Sequence, residues 1–217
     1  MKLIIIVCLS FLLCLSGCGW FKTKGEKTAQ ELAGDGMEEY TAGKYKTAIE
    51  SFEKLRDWYP FSKFAILAEL KIADAYYQLE EYEEAIFAYE EFENLHPRNE
   101  ATPYVVYMTG RCYFNQLDAI DRDQTSTEKA LGTFFRLIKQ FPGSAYENKS
   151  REHINTCLKN LAGHDFSVGQ FYYKSKHYKA ALGRFQSVIS NYPDVGVHHK
   201  ALYYIPLCEA AILPSLP

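Results

Sequence analysis

The sequence predicts an all-α fold, a solenoid of antiparallel helix pairs with four full repeats and a partial fifth. Three observations carry that reading. Alanine, aromatic and proline recur at offsets of 0, 4 and 12 in Ala48/Phe52/Pro60, Ala85/Tyr89/Pro97, Ala130/Phe134/Pro142 and Ala181/Phe185/Pro193. Upstream, a small residue and an aromatic stand three apart in Ala73/Tyr76, Gly110/Tyr113 and Gly169/Tyr172, with Gly36/Glu39 a partial match. The composition, 47% hydrophobic and 24% charged, is that of a packed globular chain, and 8 Pro with 13 Gly are too few for a linker protein.

The elements follow in chain order. Met1-Lys2 is a short basic start, and Leu3 to Cys14 is an apolar run too short to span a bilayer but suited to a signal peptide. It ends in Leu15-Ser16-Gly17-Cys18, which resembles the lipobox of bacterial lipoproteins. The resemblance implies removal of residues 1–17 and a lipidated Cys18 at the new N-terminus. Several acyl chains together hold a membrane more firmly than one. The other reading is an ordinary secretory signal that contains a cysteine. Gly19 is not aspartate, so by the same resemblance the usual inner-membrane retention signal is missing. The expected location is therefore the periplasmic face of the outer membrane. Residues 18–27, polar apart from Trp20 and Phe21, read as a tether.

From 28 to 217 the pattern resembles the tetratricopeptide repeat, a 34-residue helix–turn–helix unit. Repeats fall at about 29–62, 66–99, 103–144 and 162–195, with a partial fifth at 198–217. Small residues let paired helices approach, aromatics fill the volume between them, and proline ends the second helix. The residues before these prolines, Tyr59, His96, Phe141 and Tyr192, are expected to turn extended. The interval Pro97–Pro142 is longer than the norm, which places an insertion near Leu117 to Thr127. The excess before Pro193 is expected to lengthen a helix through 150–161. A first helix at 199–212 has no second helix after it, so an apolar face of Leu202, Ile205, Leu207 and Ile212 is expected to seek a partner.

By the same resemblance, first helices carry a concave peptide-binding surface. Repeat position 12 is aromatic in all four copies: Tyr40, Tyr77, Phe114 and Tyr173. Around these rings stand Met37, Asp74, Gln78, Tyr104, Tyr107, Arg111 and Asn115. Rings of this kind either face a bound strand or pack against the next repeat, and the sequence leaves both open. Acidic residues (Glu80, Glu81, Glu83, Glu84, Glu90, Glu91, Glu93) crowd the second repeat, and basic ones (Lys174, Lys176, His177, Lys179, Arg184) mark the fourth. Most are read as solvated faces.

No catalytic residues, metal site or cofactor is expected. No phosphate-binding glycine loop, Gly-x-Ser-x-Gly or His-Glu-x-x-His occurs, and the six histidines read as lying at helix ends and turns. Asp121-x-Asp123-x-Thr125 begins like a calcium loop, but Ser126 and Gly132 stand where glycine and glutamate are needed. A net charge of −3 gives no basic field for nucleic acid. Cys112, Cys157 and Cys208 match no zinc or redox spacing; they read as small buried hydrophobes, with one disulfide as the other option.

Finer motifs resemble the BamD family of outer-membrane β-barrel assembly lipoproteins. They are Tyr59-Pro60-Phe61-Ser62, Tyr104-Val105-Val106-Tyr107-Met108-Thr109-Gly110, Asp121-Arg122-Asp123, Phe141-Pro142-Gly143-Ser144-Ala145-Tyr146 and Tyr192-Pro193-Asp194. The resemblance implies a non-catalytic adaptor whose N-terminal repeats receive C-terminal targeting strands of unfolded outer-membrane proteins. It implies that the C-terminal repeats dock on a barrel-forming subunit with periplasmic repeat domains. Arg184 falls where the family carries a docking arginine; the plainer reading is a solubilising surface cation. An adaptor of another envelope system, a secretin pilotin or a cell-division coordinator, is the alternative.

Overall fold

The computed structural model describes residues 26–213; the expected signal segment, Cys18, most of the expected tether and the last four residues lie outside the described residues. All regular structure among the described residues is helical. Four pairs are followed by a single helix: α1 Ala29–Thr41 with α2 Tyr45–Trp58, α3 Ala65–Gln78 with α4 Tyr82–Leu95, α5 Thr102–Asn115 with α6 Thr125–Gln140, α7 Glu147–Lys174 with α8 Tyr178–Asn191, then α9 His198–Ile212. Each helix packs chiefly on its chain neighbours, as a tetratricopeptide solenoid requires, and α5 also touches α7. None of these helices is long and apolar enough to cross a membrane.

Local chemistry sets the boundaries. Thr28 and Glu31 form a reciprocal capping box at the start of α1, with Thr28 N donating to Glu31 Oε2 at 2.8 Å. The turns after α1, α3 and α7 share one geometry. Lys44, Glu81 and His177 donate their N–H groups back to Glu39, Tyr76 and Tyr172 across a residue with positive φ. That residue is Gly43 in the first repeat, but Glu80 (φ 60°) and Lys176 (φ 61°) in the others, where a side chain is strained.

The second helices stop before proline, though not all in the expected way. Tyr59, His96 and Phe141 keep ψ of 52–60° and still donate to the carbonyl four residues back. Tyr192 alone is fully extended, at ψ 148°. The proline ring evicts its predecessor from the helical region, but a last helical hydrogen bond holds the other three halfway.

The repeated small residues have a direct steric role. A Cβ on Gly36, Gly110 or Gly169 would lie 2.6, 2.6 or 2.8 Å from the ring of Phe52, Phe134 or Phe185. Those rings are fully buried, each contributing about 1.5–3 kcal/mol by burial. The core runs as three clusters along the array, one for α1–α3, one for α3–α7 and one for the end of α7 with α8 and α9.

The extra residues go where the spacing placed them. The insertion is the loop between α5 and α6, and α7 is a single 28-residue helix whose first half continues the array beside α6. Asn160 Nδ2 donates to Asp118 O and Gln124 Oε1, each at 3.2 Å, and His164 Nδ1 bonds Ile120 O at 2.7 Å. The loop is therefore clamped on α7. Asp123 Oδ1 accepts from Thr125 N at 2.9 Å, satisfying the first N–H of α6. On α9, Leu202 and Leu207 are exposed as expected, but Ile205 packs inward on the last cluster and Ile212 is half-buried. The three cysteines are free and fully buried, as small hydrophobes.

Candidate functional site

The face carried by α1, α3 and α5 is built from residues at the ends of first helices. Tyr40 and Tyr77 are half-buried, each held edge-on by the tyrosine that opens the next helix, at centroid distances of 5.3 Å (Tyr45) and 5.8 Å (Tyr82). Tyr173 repeats the arrangement with Tyr178 at 5.6 Å. Each ring is therefore packed in part and exposed in part. Burial, then the charge of Asp74, pushes the Tyr40 hydroxyl up to about 12. The third repeat has Thr127 where the others have that tyrosine. Phe114 turns instead to His153 of α7 at 4.3 Å and to Phe134 at 6.2 Å.

Two expected wall residues lie beneath the surface. Asp74 is 4% exposed; its Oδ1 accepts from Tyr89 at 2.8 Å and Tyr104 at 2.7 Å, and its Oδ2 from Lys71 at 2.7 Å. Three donors satisfy a buried carboxylate, which makes it a hub rather than a contact surface. Lys71 Nζ also sits 5.0 Å from the Tyr40 ring centroid. Tyr104 is half-buried, its hydroxyl driven well above its ordinary range by burial and then by Asp74. Tyr107 is 5% exposed, stacked on Tyr146 at 5.1 Å, because the long α7 extends over it.

Arg111 joins α3 to α5. Its Nη2 donates to Tyr77 Oη at 2.9 Å and its Nη1 to Tyr107 Oη at 3.4 Å. Asn115 Nδ2 donates to the same Tyr77 oxygen and to Tyr82 Oη, both at 3.1 Å. Tyr77, Arg111, Phe114 and Asn115 thus form one patch, with Tyr40 on its α1 side. Asp74 and Tyr107 support it from within, and the half-buried Tyr104 is tied to it through Asp74.

Arg184 occupies a separate place. Its Nη1 donates to Asp165 Oδ1 at 2.6 Å; Ser187 and Tyr192 donate to Asp165 Oδ2 at 2.7 and 3.2 Å. Asp165 is 6% exposed, while the Arg184 side chain keeps 45% exposure. This cluster forms one wall of a polar cleft of about 780 Å³, whose other wall is Asp121-Arg122-Asp123 of the insertion.

Sequence reasoning missed His153. The histidines were expected at helix ends and turns, but His153 and His164 lie inside α7 because that helix begins at Glu147. Burial first, then the Arg111 charge, lowers the pKa of His153. The missing tyrosine of the third repeat was the available signal that another ring must fill that place. No group of three potential metal-ligating side chains occurs among the described residues.

The family model for YfiO, described as outer membrane lipoprotein, matches residues 25–210. Relatives carry the name outer membrane protein assembly factor BamD. That of Rickettsia prowazekii is 32% identical over 88% of this chain and 77% of its own length. That of Neisseria meningitidis serogroup A is 29% identical over 94% of this chain and 82% of its own. That of Caulobacter vibrioides is 29% identical over 82% of this chain, which spans 58% of the Caulobacter protein. A solved tetratricopeptide protein of Thermus thermophilus superposes with a TM-score of 0.44 at 17% identity, covering 86% of this chain and all of that one. With the family model covering most of the chain and the repeat architecture in place, the chain belongs to the YfiO family of outer membrane lipoproteins.

Proposed function

We propose that this chain is a non-catalytic adaptor in outer-membrane β-barrel assembly, held by lipid on Cys18 at the periplasmic face of the outer membrane. Its first-helix face receives extended C-terminal strands of unfolded outer-membrane proteins. The observation that carries the reading is the row of half-buried rings Tyr40, Tyr77 and Phe114 on that face, interleaved with the donors Arg111 and Asn115. Rings offer apolar faces to the alternating side chains of a strand, and the polar groups suit its backbone. Relatives named as assembly factors support the same role.

The half-exposed Arg184, at the rim of the insertion cleft, is the point of docking on the barrel-forming subunit. Asp165 fixes the direction of its guanidinium, and the remaining N–H groups are left for a partner's carboxylate. Copurification from solubilised membranes tests the assignment. Recovery of a barrel protein with repeated periplasmic domains, lost in Arg184→Glu, is expected; recovery of a secretin ring instead would place the chain in another envelope system. Titration of an aromatic-rich strand peptide tests the first-helix face: Tyr77→Ala weakens binding, and equal affinities would refute the face.

A further inference from the structure

Among the described residues Arg111 is the half-buried arginine without a carboxylate partner; Arg98 and Arg122, also outside any ion pair, are exposed to water. Arg56, Arg136, Arg151 and Arg184 each have a carboxylate partner. Among the described residues no ion pair includes Arg111. Its acceptors are two neutral tyrosine hydroxyls, and its Nε is buried with no acceptor at all. The acid of the same face, Asp74, is fully engaged by Lys71, Tyr89 and Tyr104. A guanidinium half out of water, with an orphaned donor and only neutral partners, is suited to accept an anion.

The surroundings narrow the choice of anion. The guanidinium carbon lies 5.9 Å from the Tyr77 ring centroid and 6.0 Å from that of Tyr107, and Phe114 stands one helical turn further on. In a peptide's last residue the carboxylate and the side chain leave the same Cα. A carboxylate paired with Arg111 therefore holds the terminal side chain against these rings. Rotating the long arginine side chain outward releases Nε and presents Nε and Nη2 as a planar fork. The bonds given up are to neutral hydroxyls, and the bonds gained are to a full negative charge.

We infer that Arg111 is the receptor for the C-terminal α-carboxylate of a bound peptide that ends in an aromatic residue. The inference rests on the peptide-binding reading of the first-helix face and adds the group that sets polarity and register on it. Arg111 thereby separates a chain end from an internal strand of similar composition.

The test uses the full chain in detergent and three labelled strand peptides of one sequence. The first ends in a free phenylalanine carboxylate, the second in its amide, and the third is the amide with aspartate at the preceding position. The acid is expected to bind about tenfold more tightly than the amide, the scale of one charge-assisted pair. Arg111→Gln is expected to bring the acid down to the level of the amide. NMR titration of His153 gives a second readout: the acid peptide neutralises Arg111 and moves the His153 midpoint up, and the amide does not. This readout needs only the wild type and stands even if Arg111→Gln fails to fold. Equal binding of acid and amide overturns the receptor while leaving the peptide face intact. Binding of the aspartate amide at the level of the acid overturns the chain-end assignment in favour of an internal carboxylate. Binding of none of the three overturns the peptide face together with the receptor.

Discussion

Arg111 and Arg184 sit in the two halves of one solenoid and meet opposite electrostatic conditions. Around α7 and α8, the buried carboxylate of Asp165 and the guanidinium of Arg184 answer each other, with Ser187 and Tyr192 completing the acceptor sites. Around α3 and α5, the buried carboxylate of Asp74 is answered by Lys71 and two tyrosines, and the guanidinium of Arg111 is left with neutral hydroxyls. Repeats of the same pattern thus handle charge differently. The C-terminal half uses its ion pair to fix a cleft wall; the N-terminal half keeps a cation in reserve on a ring-lined face.

The comparison is sharpened by removing its parts, beginning with the Asp74 hub. Asp74→Ala strands a half-buried lysine and two tyrosine hydroxyls, and is expected to cost about 3 kcal/mol in urea unfolding. A loss below 1 kcal/mol would show that Lys71 and the tyrosines find other partners. Next comes the interlock shared by both halves. Gly110→Ala and Gly169→Ala drive a methyl group into the rings of Phe134 and Phe185 and should each cost about 2 kcal/mol. Gly132→Ala, in an open stretch of α6, should instead stabilise by up to about 1 kcal/mol.

The arginines themselves give smaller effects. Arg184→Gln leaves Asp165 with two hydroxyl donors and should cost about 1 kcal/mol, moderated by solvent around a half-exposed side chain. Arg111→Gln loses no ion pair but gives up hydrogen bonds to Tyr77 and Tyr107, and should cost less than Arg184→Gln, below about 1 kcal/mol. Equal losses for the two would break the contrast.

The pH dependence is smaller still. Because the folded protein lowers the His153 pKa below its ordinary value of 6.5, the unfolded chain binds the proton more readily. Stability is therefore lost as pH falls from above 6.5 towards the depressed midpoint. His153→Phe should remove that loss when urea midpoints are compared at neutral and mildly acidic pH. Burial raises the Cys112 and Cys157 thiols to about 12, so alkylation at neutral pH should proceed only as the chain unfolds.

Much of the architecture was readable from spacing. The proline intervals located the insertion and the long α7, and the recurring small residues and offset-4 aromatics marked where paired helices approach closely, as Gly110 on Phe134 and Gly169 on Phe185. The site was readable only in part. Position 12 identified Tyr40, Tyr77 and Phe114, but burial depth separated Asp74 and Tyr107 from them. A residue's place in a repeat gives the direction its side chain leaves the helix, not what covers it. Tyr107 is covered because the insertion and the lengthened α7 bring Tyr146 and His153 over α5. Those residues lie about 40 positions away in the chain, beyond the reach of any local pattern.

By itself, the sequence determined the helix pairs, their order and their close approach, because periodic small, aromatic and proline residues act through local sterics and nearest-neighbour packing. Only the tertiary structure decided which charges are matched. Pairing depends on which side chains from different helices arrive within hydrogen-bonding distance. That distance joined Arg184 to Asp165 across 19 positions, gave Asp74 to Lys71 and two tyrosines, and left Arg111 with its buried, unfilled donor.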